Sequence, residues 1–128
     1  MKLIYVAGPY RSDGTYGIMQ NIRKAEDVTV QLWNLGVAVI CPHKNTAFLD
    51  GAIDGETMDG KGAVADVSLF FKGDLEMMVR CDAVVLVPGW QKSKGTVQEK
   101  TLAVIRGIPV FDWGLEQKQF TEWLANNN

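Results

Sequence analysis

The chain is poor in the residues that usually mark metal and triad chemistry, with one histidine (His43) and two cysteines (Cys41 and Cys81) among 128 residues. Any Ser-His-Asp or Cys-His arrangement would therefore have to pass through His43, and no zinc site of ordinary ligand spacing can be assembled. The cysteines stand far apart in apolar surroundings without a Cys-x-x-Cys, so they read as buried thiols rather than as a disulfide or metal ligands. No cofactor is called for. An excess of charge of one sign is also missing: 13 basic against 15 acidic residues leave a net charge of −2, and with Lys and Arg spread along the chain nucleic acid is excluded as a partner. Apolar runs stop at about five residues, far below the roughly 18 that span a bilayer. Met1-Lys2-Leu3-Ile4-Tyr5-Val6-Ala7 breaks at Gly8-Pro9 before it could act as a signal sequence. The expectation is a soluble, cytoplasmic protein without a membrane partner.

What is present is alternation of short apolar runs with helical periodicity. Residues 2–7 read as a first strand and 8–14 as the loop after it. A helix follows, outlined by Ile18, Ile22, Ala25, Leu32 and Trp33 and stopped by Gly36. Residues 37–41 form a second strand, ended by Pro42 and leading into a polar loop at His43-Lys44-Asn45-Thr46. Residues 49–62, rich in Gly and Asp, read as a long loop that covers a site. Helical pattern resumes near Val67 with Phe70, Leu75, Met78 and Val79, and the unbroken apolar run 83–87 is a strand covered on both faces. A helix over about 96–106 stops at Gly107; Ile108-Pro109-Val110-Phe111 is a last strand, its proline placing it at a sheet edge or a strand start. Leu115, Phe120, Trp123 and Leu124 outline a terminal helix that frays at 126–128. The result is one domain over residues 1–128: a three-layer α/β/α Rossmann-like fold with a four- or five-stranded, mostly parallel sheet.

Right-handed crossovers bring the loops after the first, second and 83–87 strands to one rim. That rim collects Arg11, His43, Asn45, Ser93 and Glu99. The segment Pro88-Gly89-Trp90-Gln91-Lys92-Ser93-Lys94-Gly95-Thr96-Val97-Gln98-Glu99 sits at a strand's carboxyl end, where open α/β sheets bind ligands, and the amides that open the next helix favour an anion such as phosphate. Glu99, one turn into that helix, reads either as a dipole or capping partner or as a catalytic carboxylate. Asp74, among apolar neighbours in Phe70-Phe71-Lys72-Gly73-Asp74-Leu75, is its candidate companion; two carboxylates flanking one pocket suit glycosidic bond cleavage, and a retaining route sets them about 5–6 Å apart. Asp82, on the opposite rim, reads as a turn residue.

Tyr5-Val6-Ala7-Gly8-Pro9-Tyr10-Arg11, Cys41-Pro42-His43, Gly73-Asp74-Leu75 with Cys81-Asp82-Ala83-Val84-Val85, and Ser93-Lys94-Gly95-Thr96-Val97-Gln98-Glu99 together resemble the nucleoside 2-deoxyribosyltransferase superfamily over nearly the whole chain. Within it the motifs look most like small phage and bacterial members and the 2'-deoxynucleoside 5'-phosphate N-hydrolases. The resemblance implies that Glu99 is the nucleophile and that Asp74 assists departure of the leaving group. It implies that Tyr5, Gly8 and Arg11, with neighbouring Tyr10, belong to the loop that wraps sugar and phosphate. His43 and Asn45 would stand near the nucleotide, and Ser93, Gly95 and Thr96 at the phosphate. Pro9 departs from the pattern, standing where the hydrolases carry a second phosphate-binding serine. The implied activity is cleavage of the N-glycosidic bond of a nucleoside 5'-monophosphate by a homodimer or larger homo-oligomer, a state that Trp33, Trp90, Trp113 and Trp123 in so small a domain also suggest. Trp90 reads equally as a lid over the base. Three other readings stand beside it: transfer of the deoxyribosyl group between bases, a stretched form of the PGGxGTxxE signature of cytokinin-activating phosphoribohydrolases, and a nucleotide-binding sensor without turnover.

Overall fold

The computed structural model describes residues 1–47, 49 and 67–127. Its sheet has four strands, β1 (Leu3–Ala7), β2 (Ala38–Ile40), β3 (Ala83–Leu86) and β4 (Val110–Asp112), all parallel and in the order β2-β1-β3-β4. Among the described residues five α-helices join or follow them: α1 (Thr15–Asn34), the single turn α2 (Pro42–Asn45), α3 (Phe70–Met78), α4 (Lys94–Ile105) and α5 (Gln117–Asn127). The three-layer α/β/α architecture expected from the strand and helix alternation is present. Among the described residues, no helix is long and apolar enough to cross a membrane.

The central strands read as continuous apolar runs because helices cover both of their faces. Ile4, Val6, Ala83 and Val85 point to one side, where they pack with Ala25, Val28 and Leu32 of α1 and Phe120 and Leu124 of α5. Tyr5, Ala7, Val84 and Leu86 point to the other, against Met78 of α3 and Ala103 of α4. Cys41 and Cys81 are free, buried and on opposite faces of the sheet, which excludes a bond between them. Asp82 is a structural residue: its Oδ2 accepts the Leu3 N–H at 2.7 Å and ties the start of β1 to the turn before β3.

Chain reversals sit close to where the sequence puts them, with four differences. Gly36, with a φ of 84°, ends α1 in the left-handed conformation that only glycine adopts without strain. The expected polar loop at 43–46 is instead helical, because Pro42 is pre-set for a first helical position. The helix that carries Glu99 starts at Lys94 rather than Thr96, two residues earlier, since the Ser93 hydroxyl oxygen accepts the Thr96 N–H at 3.2 Å and makes Ser93 its N-cap. Leu115 lies outside the last helix and is 81% exposed; α5 starts later because Glu116 accepts the Asp112 N–H at 2.9 Å and the Phe120 N–H at 3.0 Å. At its other end α5 does not fray at 126–127, where Asn127 Nδ2 donates to the Trp123 carbonyl at 2.7 Å. The loop expected over 49–62 falls, apart from Leu49, outside the described residues.

The tryptophans divide unevenly. Trp113 is buried and donates to Gln31 at 3.2 Å, Trp123 packs against the aromatic core, and only Trp33 is more than half exposed, at 51%. A core of this size therefore absorbs more indole than its length suggests.

Candidate active site

The chain moves outward from β1 in both directions, to β2 on one side and to β3 and β4 on the other. Right-handed crossovers then place α1 on one face and α3 and α4 on the other, leaving a crevice between the carboxyl ends of β1 and β3. A cavity of about 580 Å³ occupies it. Residues 5–11, leaving β1, form one wall and residues 88–96 with Glu99, leaving β3, form another.

Glu99 is 8% exposed, so it is neither a surface acid nor a helix cap. Tyr5, wholly buried on β1, donates its phenolic hydrogen to Glu99 Oε2. Burial drives the Glu99 carboxyl up to about 7; the Tyr5 hydrogen bond opposes that rise and the negative charge of Asp74 adds to it. The half-buried Asp74 reaches about 6, by desolvation. Tyr5 itself lies far above the ordinary phenol range, first by burial and then by the adjacent Glu99 charge, so it stays protonated and serves Glu99 as a donor. The two carboxyls share one cavity and burial raises both, with the Asp74 charge adding to the rise at Glu99.

The cavity gathers every catalytic or substrate-binding candidate from the sequence except Asn45. Tyr5, Gly8, Tyr10, Arg11, His43, Asp74, Ser93, Gly95, Thr96 and Glu99 all line it. Asn45 does not: it is the last residue of the α2 turn and exposed, while His43 and Thr46, three apart on the same turn, both face the cavity. Gly8 also has a packing duty, since a Cβ there would stand 2.7 Å from the Val87 Cβ. Pro9 uses its carbonyl to accept from His43 Nε2 at 2.7 Å, which leaves His43 Nδ1 as an acceptor, buried and without a partner. Burial lowers the His43 pKa against the opposing pull of the Pro9 and Gly8 carbonyls, keeping the ring neutral. The Thr96 hydroxyl is likewise buried at the cavity without a partner.

Trp90 corrects its reading as a lid. Its ring faces away from the cavity, held by a hydrogen bond from Nε1 to Asp112 at 2.9 Å and by Lys100 Nζ lying 4.4 Å from the ring centroid. The 3-10 turn Trp90–Lys92 that follows Gly89 points the side chain toward β4. The sequence reading also missed Lys24, Lys92 and Lys94, which join Arg11 on the cavity wall, and Phe70 and Phe71, which give it an apolar side. Lys92 and Lys94 sit within the quoted 88–99 segment without being singled out there, and their grouping with Lys24 of α1 and with Arg11 brings three segments together. Phe70 was visible as part of the helical pattern near Val67 and Phe71 as a neighbour of Asp74, and a two-residue aromatic run does not reveal whether it packs inward or lines a pocket.

The all-parallel α/β architecture is that of a nucleoside 2-deoxyribosyltransferase-like protein. A 2-deoxyribosyltransferase from the psychrotolerant bacterium Bacillus psychrosaccharolyticus, described as a biocatalyst for synthesis of antiviral and antitumoral nucleosides, superposes with a TM-score of 0.53 at 25% identity, over 84% of this chain and 69% of that one. Residues 2–112 match the family described as Domain of unknown function (DUF4406), and the chain belongs to that family. Comparison with curated proteins gave no match.

Proposed function

We propose that the protein is an enzyme that cleaves the N-glycosidic bond of a deoxynucleoside 5'-monophosphate through a glycosyl-enzyme on Glu99. The reacting form is the one with Glu99 ionised and the proton on Asp74: a Glu99 carboxylate oxygen attacks C1' of the sugar, the bond from C1' to the base nitrogen breaks, and its electron pair leaves with the base as Asp74 delivers that proton to it. Water then attacks C1' with Asp74 accepting its proton, which frees Glu99. The observation that carries this reading is the buried Glu99 carboxyl, oriented by Tyr5, in one cavity with Asp74. A binding-only sensor gives no account of that arrangement: burying an acid is unfavourable, and a helix cap or a ligand contact needs no neighbouring carboxyl. A carboxyl separation near 5–6 Å belongs to the same proposal, as a retaining route demands.

A phosphate in the cavity would meet cationic and neutral donors. Arg11, Lys24, Lys92 and Lys94 line the cavity, Ser93 keeps its hydroxyl proton to donate after capping α4, and the first amides of that helix have no carbonyl one turn back. Phe70 and Phe71 offer the flat apolar surface that a base stacks on.

The likeness to a 2-deoxyribosyltransferase supports a second reading, in which a second base rather than water attacks the glycosyl-enzyme. Incubating the protein with nucleosides and nucleoside 5'-monophosphates, with and without a second base, separates the two by chromatography: free base and sugar phosphate mark hydrolysis, an exchanged nucleoside marks transfer. Arg11→Ala should weaken monophosphate processing roughly ten- to a hundredfold and leave free nucleosides almost unaffected. Equal use of nucleoside and monophosphate by the native protein would refute the phosphate site.

A further inference from the structure

Arg11 stands on a stretch without regular structure, between the end of β1 at Ala7 and the start of α1 at Thr15. An untethered loop of that length spreads its side chains over many positions, and aiming a guanidinium at one anion is then opposed by the entropy of ordering the loop. This loop is tied at three successive carbonyls. The Pro9 carbonyl accepts from His43 Nε2 at 2.7 Å. Asn21 Nδ2 donates to the Tyr10 carbonyl at 3.1 Å and, more weakly, to the Arg11 carbonyl at 3.4 Å. Only a donor can serve two carbonyls, so the amide nitrogen of Asn21 is the atom that faces the loop.

The same face of α1 makes room for the loop. Gly17 lies against Ser12: a Cβ at Gly17 would stand 2.0 Å from the Ser12 Oγ and 2.6 Å from the Ser12 Cβ, so nothing larger than glycine fits while Ser12 keeps its place. Glycine and asparagine are both weak helix formers, and α1 sets them four residues apart, one turn from each other on one face. Helix propensity gives no reason for either residue there; the loop gives a reason for both. Asn21 and Lys24, the next residue along that face, line the cavity together with Arg11. We infer, on the phosphate reading proposed above, that α1 is the fixture that aims Arg11. Asn21 is a positioning residue: it holds the Tyr10–Arg11 backbone, and the Gly17 notch seats Ser12 so that the loop lies within its reach. How strongly the site holds a 5'-phosphate then depends on a side chain that acts through Arg11. Were Asn21 instead a phosphate contact of its own, its loss and the loss of Arg11 would add.

The probe is 2-deoxyribose 5-phosphate, which carries sugar and phosphate but no base to cleave, with binding followed by calorimetry and folding by circular dichroism. Arg11→Ala should weaken its binding about tenfold or more. Asn21→Leu keeps the branched shape and removes the donor; it should weaken binding about five- to tenfold, and the double variant should bind no more weakly than Arg11→Ala alone. Gly17→Ala favours the helix but crowds Ser12, so it should weaken binding in the same direction, and adding Ser12→Gly should recover most of the loss. With a nucleoside 5'-monophosphate as substrate, the Asn21→Leu defect should fall on KM rather than on kcat, whereas a residue that only supports the fold would lower both. Native binding by Asn21→Leu or by Gly17→Ala beside a weakened Arg11→Ala, or losses that add in the double variant, overturns the positioning role and leaves the phosphate site standing. No binding by the native chain, or Arg11→Ala binding as the native chain does, overturns the phosphate site and the positioning role with it.

Discussion

On one face of the sheet, Ile4, Val6, Val85 and Phe111 meet α1 and α5 across a layer in which Phe111, Trp113, Phe120 and Trp123 stack at ring separations of 5.4–5.7 Å. On the other, Tyr5, Val84 and Leu86 meet α3 and α4, beside the cavity at the carboxyl ends of the strands. The space left there holds Glu99 and Asp74. Neighbouring residues of one strand thus serve different ends: Ile4 and Val6 fill a core while Tyr5, between them, donates to a buried acid. The aromatic face supplies binding energy for the fold, and the opposite face spends some of it on desolvated carboxyls.

Substitutions on the two faces should therefore separate activity from stability. Glu99→Ala should lower turnover of the best substrate about a thousandfold or more while the protein stays folded, because a nucleophile's loss removes the covalent route. Near-native cleavage by that variant, measured as released base, would end the assignment. Phe120→Ala, in the centre of the aromatic face, should do the reverse: about 3–5 kcal/mol less stable in denaturant unfolding, with KM unchanged where it remains folded. Tyr5→Phe removes one donor without changing packing, and should lower kcat about ten- to a hundredfold. Since that hydrogen bond pulls the Glu99 pKa down, its loss should also move the acid limb of the pH profile to higher pH; a limb that stays in place argues that Tyr5 only fills space.

The smallest effect is on stability against pH. Glu99 and Asp74 have folded pKa values near 7 and 6, above their unfolded values, so between the two the folded state binds more protons and stability falls as pH rises. For Glu99 the window runs from its ordinary value of 4.5 up to about 7. Glu99→Gln should be more stable than the native chain at pH 8, by on the order of 2–3 kcal/mol, with the gain fading toward pH 4. His43 works in the opposite sense, its lowered pKa favouring the fold as pH rises through the ordinary imidazole range. A Glu99→Gln gain that is the same at pH 5 and pH 8 would show that the carboxyl is not held protonated by burial.

Much of this was legible in the chain. The run 2–7 announces a strand and the run 83–87 a doubly covered one, because nothing polar interrupts it, and Gly36 and Gly107 mark helix ends because only glycine takes their left-handed backbone freely. Alternation then dictates the layers, and handedness dictates that the loops bearing Arg11, His43 and Ser93 share a rim. What the sequence did not contain is rotation and burial within that rim. Whether Asn45 or Thr46 faces the cavity depends on a helical turn begun by Pro42. Whether Trp90 covers a base or leans on Lys100 and Asp112 depends on where β4 runs. Lys24, Lys92, Lys94, Phe70 and Phe71 meet only because three distant segments converge at the carboxyl ends of β1 and β3. Local pattern determined the elements and their order, since propensity and periodicity act over a few residues. Tertiary structure decided how Glu99, Tyr5 and Asp74 titrate, since desolvation and charge act through space on groups that lie far apart along the chain.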